Sequence, residues 1–166
     1  MAITASMVKE LRERTGLGMM DCKKALVDAD GDMELAIEEL RKKSVLKAAK
    51  KSGRTTANGL LGLKMADDAG KAAIVEINIE TDFAAKNEKF IAFVAKVADA
   101  VFESVDGDIE ALKQSGLDKE RETLVQEIGE NISIRRGELA VAPEGGCVAC
   151  YLHTDNLKGA LVVLNT

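Results

Sequence analysis

One proline, no tryptophan, one tyrosine and one histidine occur in 166 residues. So little proline leaves helices uninterrupted, and together with 31% charged residues it predicts a helix-rich chain that keeps its surface in water. No window of 18 uninterrupted apolar residues offers a membrane span. The N-terminal MAITASMVKELRERTG lacks the basic start and apolar block of a secretory signal, so cytoplasm is the expected compartment. The three cysteines, an odd number without a signal, predict reduced thiols.

Catalytic chemistry is equally short of material. His153 is the one imidazole, and no G-x-S-x-G elbow is present. Gly70-Lys71 is not the end of a P-loop, because Ala72 follows the lysine and Met65 stands where the upstream glycine is required. The residues predict a protein that is not an enzyme. Cys147-Val-Ala-Cys150, followed by His153, has the spacing of a metal or redox motif. Its flanks read as a strand, however, and strand positions i and i+3 point to opposite faces, so the two sulfurs do not converge on one ion. Neither a metal site nor a cofactor is expected.

The chain does hold enough apolar residues, 46%, to build a core at a length suited to one ordinary domain plus a small one. Its net charge of −5 is unevenly spread: residues 1–54 carry 12 basic and 9 acidic side chains, the remainder 11 and 19. The stretch RKKSVLKAAKKSGR, Arg41 to Arg54, holds seven basic residues and no acid. Clustered cations are the footprint of a weak RNA contact. They also suit a solvated helix tail, and the absence of stacking aromatics nearby favours that second reading.

Residues 4–43 read as three short helices. Thr4 or Ser6 caps the first, with Val8 and Leu11 at helical spacing, and Thr15-Gly-Leu-Gly18 stops it. The second runs from about Met19 to Ala29, and the third starts at Asp32 with Met33, Ala36, Ile37 and Leu40 on one face. Lys50 to Gly59 reads as a linker. The period then changes to two: Leu61, Leu63 and Met65 alternate, a turn follows, and Ala73, Val75, Ile77 and Ile79 alternate, which predicts a hairpin with one buried face. Phe90, Phe93, Val94, Val97 and Val101 mark a long helix. Asp118 reads as the cap of another, bearing Leu124, Val125 and Ile128, and Ile132 to Ala142 is strand-like. The fold class is α+β: a three-helix bundle over 1–54, a first α+β core subdomain over 55–143 with antiparallel strands, and the start of a second over 144–166.

That last segment repeats an earlier one. Shifted by 87 positions, Leu60 to Asn78 lies over Cys147 to Asn165, matching Asp68 with Asp155, Lys71 with Lys158 and Val75 with Val162. The second copy stops at Thr166 where the first continues into helices. A bare hairpin is marginal alone, so the expectation is a truncated form of a longer protein, or a partner on the open face.

Exposed apolar residues at element ends are the candidates for binding. Met19 and Met20 open a helix, where two adjacent side chains cannot both face one core; they present an adaptable surface, or else plug an irregular core. Phe83 sits between a strand and a helix, either folded back on the Phe90 to Val94 helix or projecting outward, beside Asp82, which could simply cap a turn. His153 falls opposite Ala66 in the repeat, so the fold does not demand an imidazole there.

The segments ITASMVKELRERTGLGMMDCKKAL, INIETDFAAKNEKF and IGENISIRR closely resemble, in order and spacing, three segments of the bacterial translation elongation factor Ts family. The similarity covers the whole chain, and long members of the family continue beyond it. The resemblance implies a guanine-nucleotide exchange factor for elongation factor Tu. It implies partner contacts through Arg12, Met19 and Met20 in the bundle and through Asp82, Phe83, Ile128 and His153 on the core. Thr81, Asp82, Phe83 and Ala84 would dislocate the partner's Mg²⁺. The bundle also resembles ubiquitin-associated domains, which leaves a binding module as one alternative and an RNA-binding translation or replication factor as another.

Overall fold

The computed structural model of the chain describes residues 2–165. It falls into two compact units, Met1–Gly53 with Glu122–Glu130, and Arg54–Arg121 with Asn131–Thr166.

In the first unit, α1 (Ala5–Thr15), α2 (Met19–Asp28) and α3 (Met33–Lys51) follow in chain order. Thr4 Oγ1 accepts from Met7 N–H at 3.3 Å and caps α1, while Gly16, at φ 71°, closes it by donating to the Arg12 carbonyl. That left-handed turn favours glycine. Asp32 caps α3 by accepting from Leu35 N–H at 2.9 Å. Val8, Leu11, Leu17, Cys22, Leu26 and Leu40 form the centre of the bundle core.

The third helix runs eight residues past the expected end, through most of the basic stretch. The reason lies in its inner stripe: Ala36, Leu40, Ser44 and Ala48, four apart, are all buried, and the small ones add helix-compatible contact without an apolar signal. The Ser44 hydroxyl faces the Leu40 carbonyl and the Gln126 side chain, and Lys51 donates to the Gly129 carbonyl.

In the second unit, β1 (Asn58–Met65), β2 (Lys71–Ile79) and β3 (Ile132–Val141) form an antiparallel sheet in the order β1-β2-β3. The helix α5 (Glu88–Glu103) packs against it and buries Phe90, Phe93, Val94, Val97 and Val101. Across the sheet Gly62, Val75 and Gly137 stand in one row. A β-carbon on Gly62 would come within 2.9 Å of the Val94 carbonyl, so glycine here permits the close approach of α5.

The register overturns the expectation of a single buried hairpin face. Leu61 pairs with Glu76 and Leu63 with Ile74, which puts Leu61, Leu63 and Met65 on the face opposite to Ala73, Val75, Ile77 and Ile79. Two alternating runs reveal the period of each strand but not which phase of one faces which phase of the other. The second face is covered in part by another antiparallel hairpin, β4 (Cys147–Leu152) and β5 (Gly159–Leu164), with Val148 packed on Ala72 and Ala140.

Asp118 is not a helix cap. The chain turns helical earlier, at Asp108, whose carboxylate accepts from Glu110 and Ala111 N–H groups. It runs through α6 (Ile109–Leu112) and a π turn (Lys113–Leu117) into α7 (Asp118–Ile128), with Gly116 at φ 145° inside the turn. Asp118 instead accepts from Arg121 Nε at 2.8 Å.

The repeat is visible bond by bond. In the first turn, Ala66 N–H donates to Lys71 O and Ala69 N–H to Ala66 O; in the second, His153 N–H donates to Lys158 O and Asn156 N–H to His153 O. Asp68 and Asp155 each accept from the backbone two residues on at 2.9 Å, and Ala69 and Asn156 share φ 57°. The two hairpins also bind each other reciprocally: Leu61 N–H donates to Asn156 O and Val148 N–H to Ala69 O, both at 2.8 Å. These are equivalent bonds under the 87-residue shift, the signature of a pseudo-two-fold pair of hairpins.

Candidate functional site

The strand β2 ends at Ile79, buried against the sheet, and α4 (Asp82–Ala85) starts three residues later. Thr81 is extended and its hydroxyl accepts from Ala84 N–H at 3.1 Å, which caps this single turn. Ala84 and Ala85 point inward and are buried. Two consecutive inward residues on so short a helix send the preceding two outward: Asp82 is exposed and Phe83 is 85% exposed. The ring is not folded onto α5, and of the two sequence-level alternatives for Phe83 the outward one is found. Asp82 faces Lys86 at 3.7 Å, an exposed pair of little energetic weight.

Asp82, Ala85 and Lys86 line a groove of 940 Å³ that is bounded also by Asp155 to Gly159, part of the turn carrying His153. Glu76 and Arg136 lie in it as well, with Arg136 Nε donating to Glu76 at 2.7 Å. Burial pushes the Glu76 carboxyl up, but hydrogen bonds from Arg136 and Asn78 and the charges of Arg136 and Arg135 outweigh it, holding the group below its ordinary value. His153 follows β4, half-exposed; its Nδ1 lies 2.7 Å from the Tyr151 hydroxyl and its Nε2 3.8 Å from Asp155. The fold needs only the backbone of His153, as Ala66 shows at the equivalent place. Tyr151 escaped the sequence reading, although residues two apart on a strand share a face.

In the first unit, Met19 and Met20 begin α2 behind Gly18 and are 51% and 77% exposed, so neither plugs the core; Leu17 does. Arg12 is exposed in the last turn of α1, and Ile128 is half-buried at the end of α7. The segment Glu122–Glu130, which holds Ile128, belongs to the first compact unit.

The basic stretch is largely occupied within each unit. Lys42 pairs with Glu38 and Glu39, Lys43 with Asp28, Lys47 with Asp21, and Arg54 with Glu80. The carboxylate of Glu38 first, then that of Glu39, raises Lys42 above its ordinary value. Cys147 and Cys150 lie on opposite faces of β4, and burial raises the Cys150 thiol. Among the described residues, no helix is long and apolar enough to cross a membrane.

Comparison with known proteins follows these same segments. The family described as "Elongation factor TS" matches residues 80–166, just over half of the chain. Elongation factor Ts of Hahella chejuensis is 54% identical over 164 residues, 99% of this chain and 56% of that protein. Elongation factor Ts of Teredinibacter turnerae is 51% identical, with 99% and 56% covered, and that of Marinobacter nauticus 53% identical, with 98% and 55%. The chain thus spans little more than half the length of these relatives. The match through the α4 tip and the second hairpin, with identity along nearly the whole chain, shows that it belongs to the elongation factor Ts family.

Proposed function

We propose that this chain binds elongation factor Tu in the cytoplasm and promotes release of GDP from it, as a nucleotide-exchange factor that makes and breaks no covalent bond. The observation that carries this reading is the outward Phe83 on a turn whose next two residues are buried. A phenyl group held in water by a capped turn costs hydration with no return from the chain's own core, and a partner pocket offers that return.

Thr81 and Ala84 hold the turn, while Asp82 and Phe83 enter the partner beside its Mg²⁺ site; Arg12, Met19, Met20, Ile128 and His153 supply further contacts. A GTPase binds its nucleotide through phosphate contacts and a Mg²⁺ that tolerates little departure from octahedral geometry. A ring inserted next to those ligands displaces them, so the factor binds the nucleotide-free partner better than the GDP-bound one. Linkage then makes GDP weaken the factor's hold by the same ratio. A coupling of about 4 kcal/mol corresponds to roughly a thousandfold in affinity.

Release of a fluorescent GDP from elongation factor Tu, followed with and without this chain, tests the reading. The chain accelerates release, and Phe83→Ala loses roughly thirtyfold, the effect of an interface anchor worth about 2 kcal/mol. Release unaffected by the wild-type chain, or equal for wild type and Phe83→Ala, sinks it.

A further inference from the structure

Glu80 belongs to none of the contacts proposed above, yet three chain segments converge on it. It is the first residue past the β2 ladder, whose last pair joins Asn58 to Ile79. Its carboxylate accepts from the Asn131 backbone N–H at 2.6 Å and from Arg54 Nη1 at 3.4 Å. Its carbonyl, with no strand partner left, accepts from Asn58 Nδ2 at 2.8 Å. Asn131 is itself 5% exposed and donates through Nδ2 to the Arg54 carbonyl at 3.0 Å. The clasp therefore closes on itself: Glu80 holds Arg54 and Asn131, and Asn131 holds Arg54.

We infer that Glu80 is a positioning residue for the exchange tip: clasped by Asn131, Arg54 and Asn58, it fixes the direction in which Thr81, Asp82 and Phe83 leave the sheet. The inference rests on the proposed role of Phe83. Sheet hydrogen bonds stop at Ile79, and the turn beyond is held by the Thr81 cap and by the buried Ala84 and Ala85; Glu80 is the link between these two anchored pieces, and the clasp fixes that link. Phe83 lies three residues on, roughly 8 Å along the chain path, and a pivot of about 20° would move its ring by some 3 Å. Binding constellations tolerate about 0.5 Å. The same carboxylate oxygen accepts from both Asn131 N–H and the Arg54 guanidinium, so one side chain ties both segments to the end of β2.

The test uses Glu80→Ala and Glu80→Gln, each in the wild-type and Phe83→Ala backgrounds, with maximal rate and half-saturating concentration measured for GDP release from elongation factor Tu. Glu80→Ala lowers the maximal rate about tenfold in the wild-type background and causes no further loss when Phe83 is already alanine. Glu80→Gln, which keeps an oxygen for Asn131, stays within about threefold of wild type. Because the chain has no tryptophan, Phe83→Trp reports tip motion directly, and its fluorescence anisotropy falls when Glu80→Ala or Asn58→Ala is added. Losses that multiply between Glu80→Ala and Phe83→Ala, or an anisotropy unchanged by both clasp variants, overturn the positioning role. A Phe83→Ala variant as active as wild type removes the exchange reading instead, and the anisotropy then decides the clasp alone.

Discussion

Two phenylalanines seven positions apart set up a comparison in which one substitution has opposite structural weights. Phe90, on the inner face of α5, is fully buried, whereas Phe83 is 85% exposed. Truncation of a buried ring to alanine costs about 3–5 kcal/mol, from lost transfer energy plus the cavity left behind. For Phe83, about 15% of a ring's roughly 200 Å² is removed from water, some 30 Å², worth ~0.7 kcal/mol at ~25 cal/mol/Å². A chain of this size shifts its melting temperature by about 2–4 °C per kcal/mol. Phe90→Ala should therefore melt roughly 10 °C below wild type, and Phe83→Ala within about 2 °C of it. Thermal unfolding followed by far-UV circular dichroism measures both, and GDP release measured well below the melts isolates the loss of contact in Phe83→Ala. If Phe83→Ala melts as low as Phe90→Ala, the ring packs in solution against this chain's own core and the exposed tip does not exist.

Gly62→Ala should lower the melting temperature by several degrees, because its β-carbon would meet both Val94 and the Val94 carbonyl at 2.9 Å and overpacking costs about 1–3 kcal/mol. Ala69→Gly should raise it: a non-glycine residue at φ 57° costs roughly 1–2 kcal/mol, and glycine's extra unfolded freedom offsets only about half of that. Asn156→Gly, at the same φ, should gain less, since asparagine tolerates the left-handed region. Glu76→Gln tests a pH dependence. The folded Glu76 carboxyl is depressed, so its stabilisation is present above the unfolded value and lost as pH falls through the folded one. Chemical denaturation should show Glu76→Gln less stable than wild type at neutral pH, with the difference closing as pH falls below roughly 4. A difference that persists into acid would mean that the carboxylate's charge is not what Arg135 and Arg136 hold.

The helices were legible where apolar residues recur at helical spacing, as in α5, and where a side chain caps the start, as at Thr4 and Asp32. They were not legible where burial is made by small residues: Ser44 and Ala48 carry α3 through the basic stretch without an apolar signature. The strands were legible in period but not in phase, because Leu61 and Val75 belong to faces that only pairing can assign. The tip was legible as an anomaly, a large ring between two elements, and it is the burial of Ala84 and Ala85 that leaves the Phe83 side of the turn facing outward. Nothing in the sequence joined Glu80 to Asn131, 51 residues away, since a side chain accepting from a distant backbone amide leaves no periodic trace.

The duplicated hairpin separates what the backbone requires from what the protein adds to it. Both copies keep the left-handed residue, the aspartate that accepts within the turn, and the reciprocal bond to the other hairpin. These are conditions for making and joining two hairpins, and a side chain at such a position is answerable to the fold. Elsewhere the copies diverge. Val75 is 1% exposed under α5, while its counterpart Val162 is 48% exposed; Lys64 and Ala66 are replaced by Tyr151 and His153, whose side chains hydrogen-bond each other. The turn forms equally well around alanine or histidine, so its geometry does not explain the imidazole. Substitutions at Asp68 or Asp155 should therefore act on the hairpins themselves, and substitutions at Tyr151 or His153 on whatever those hairpins meet.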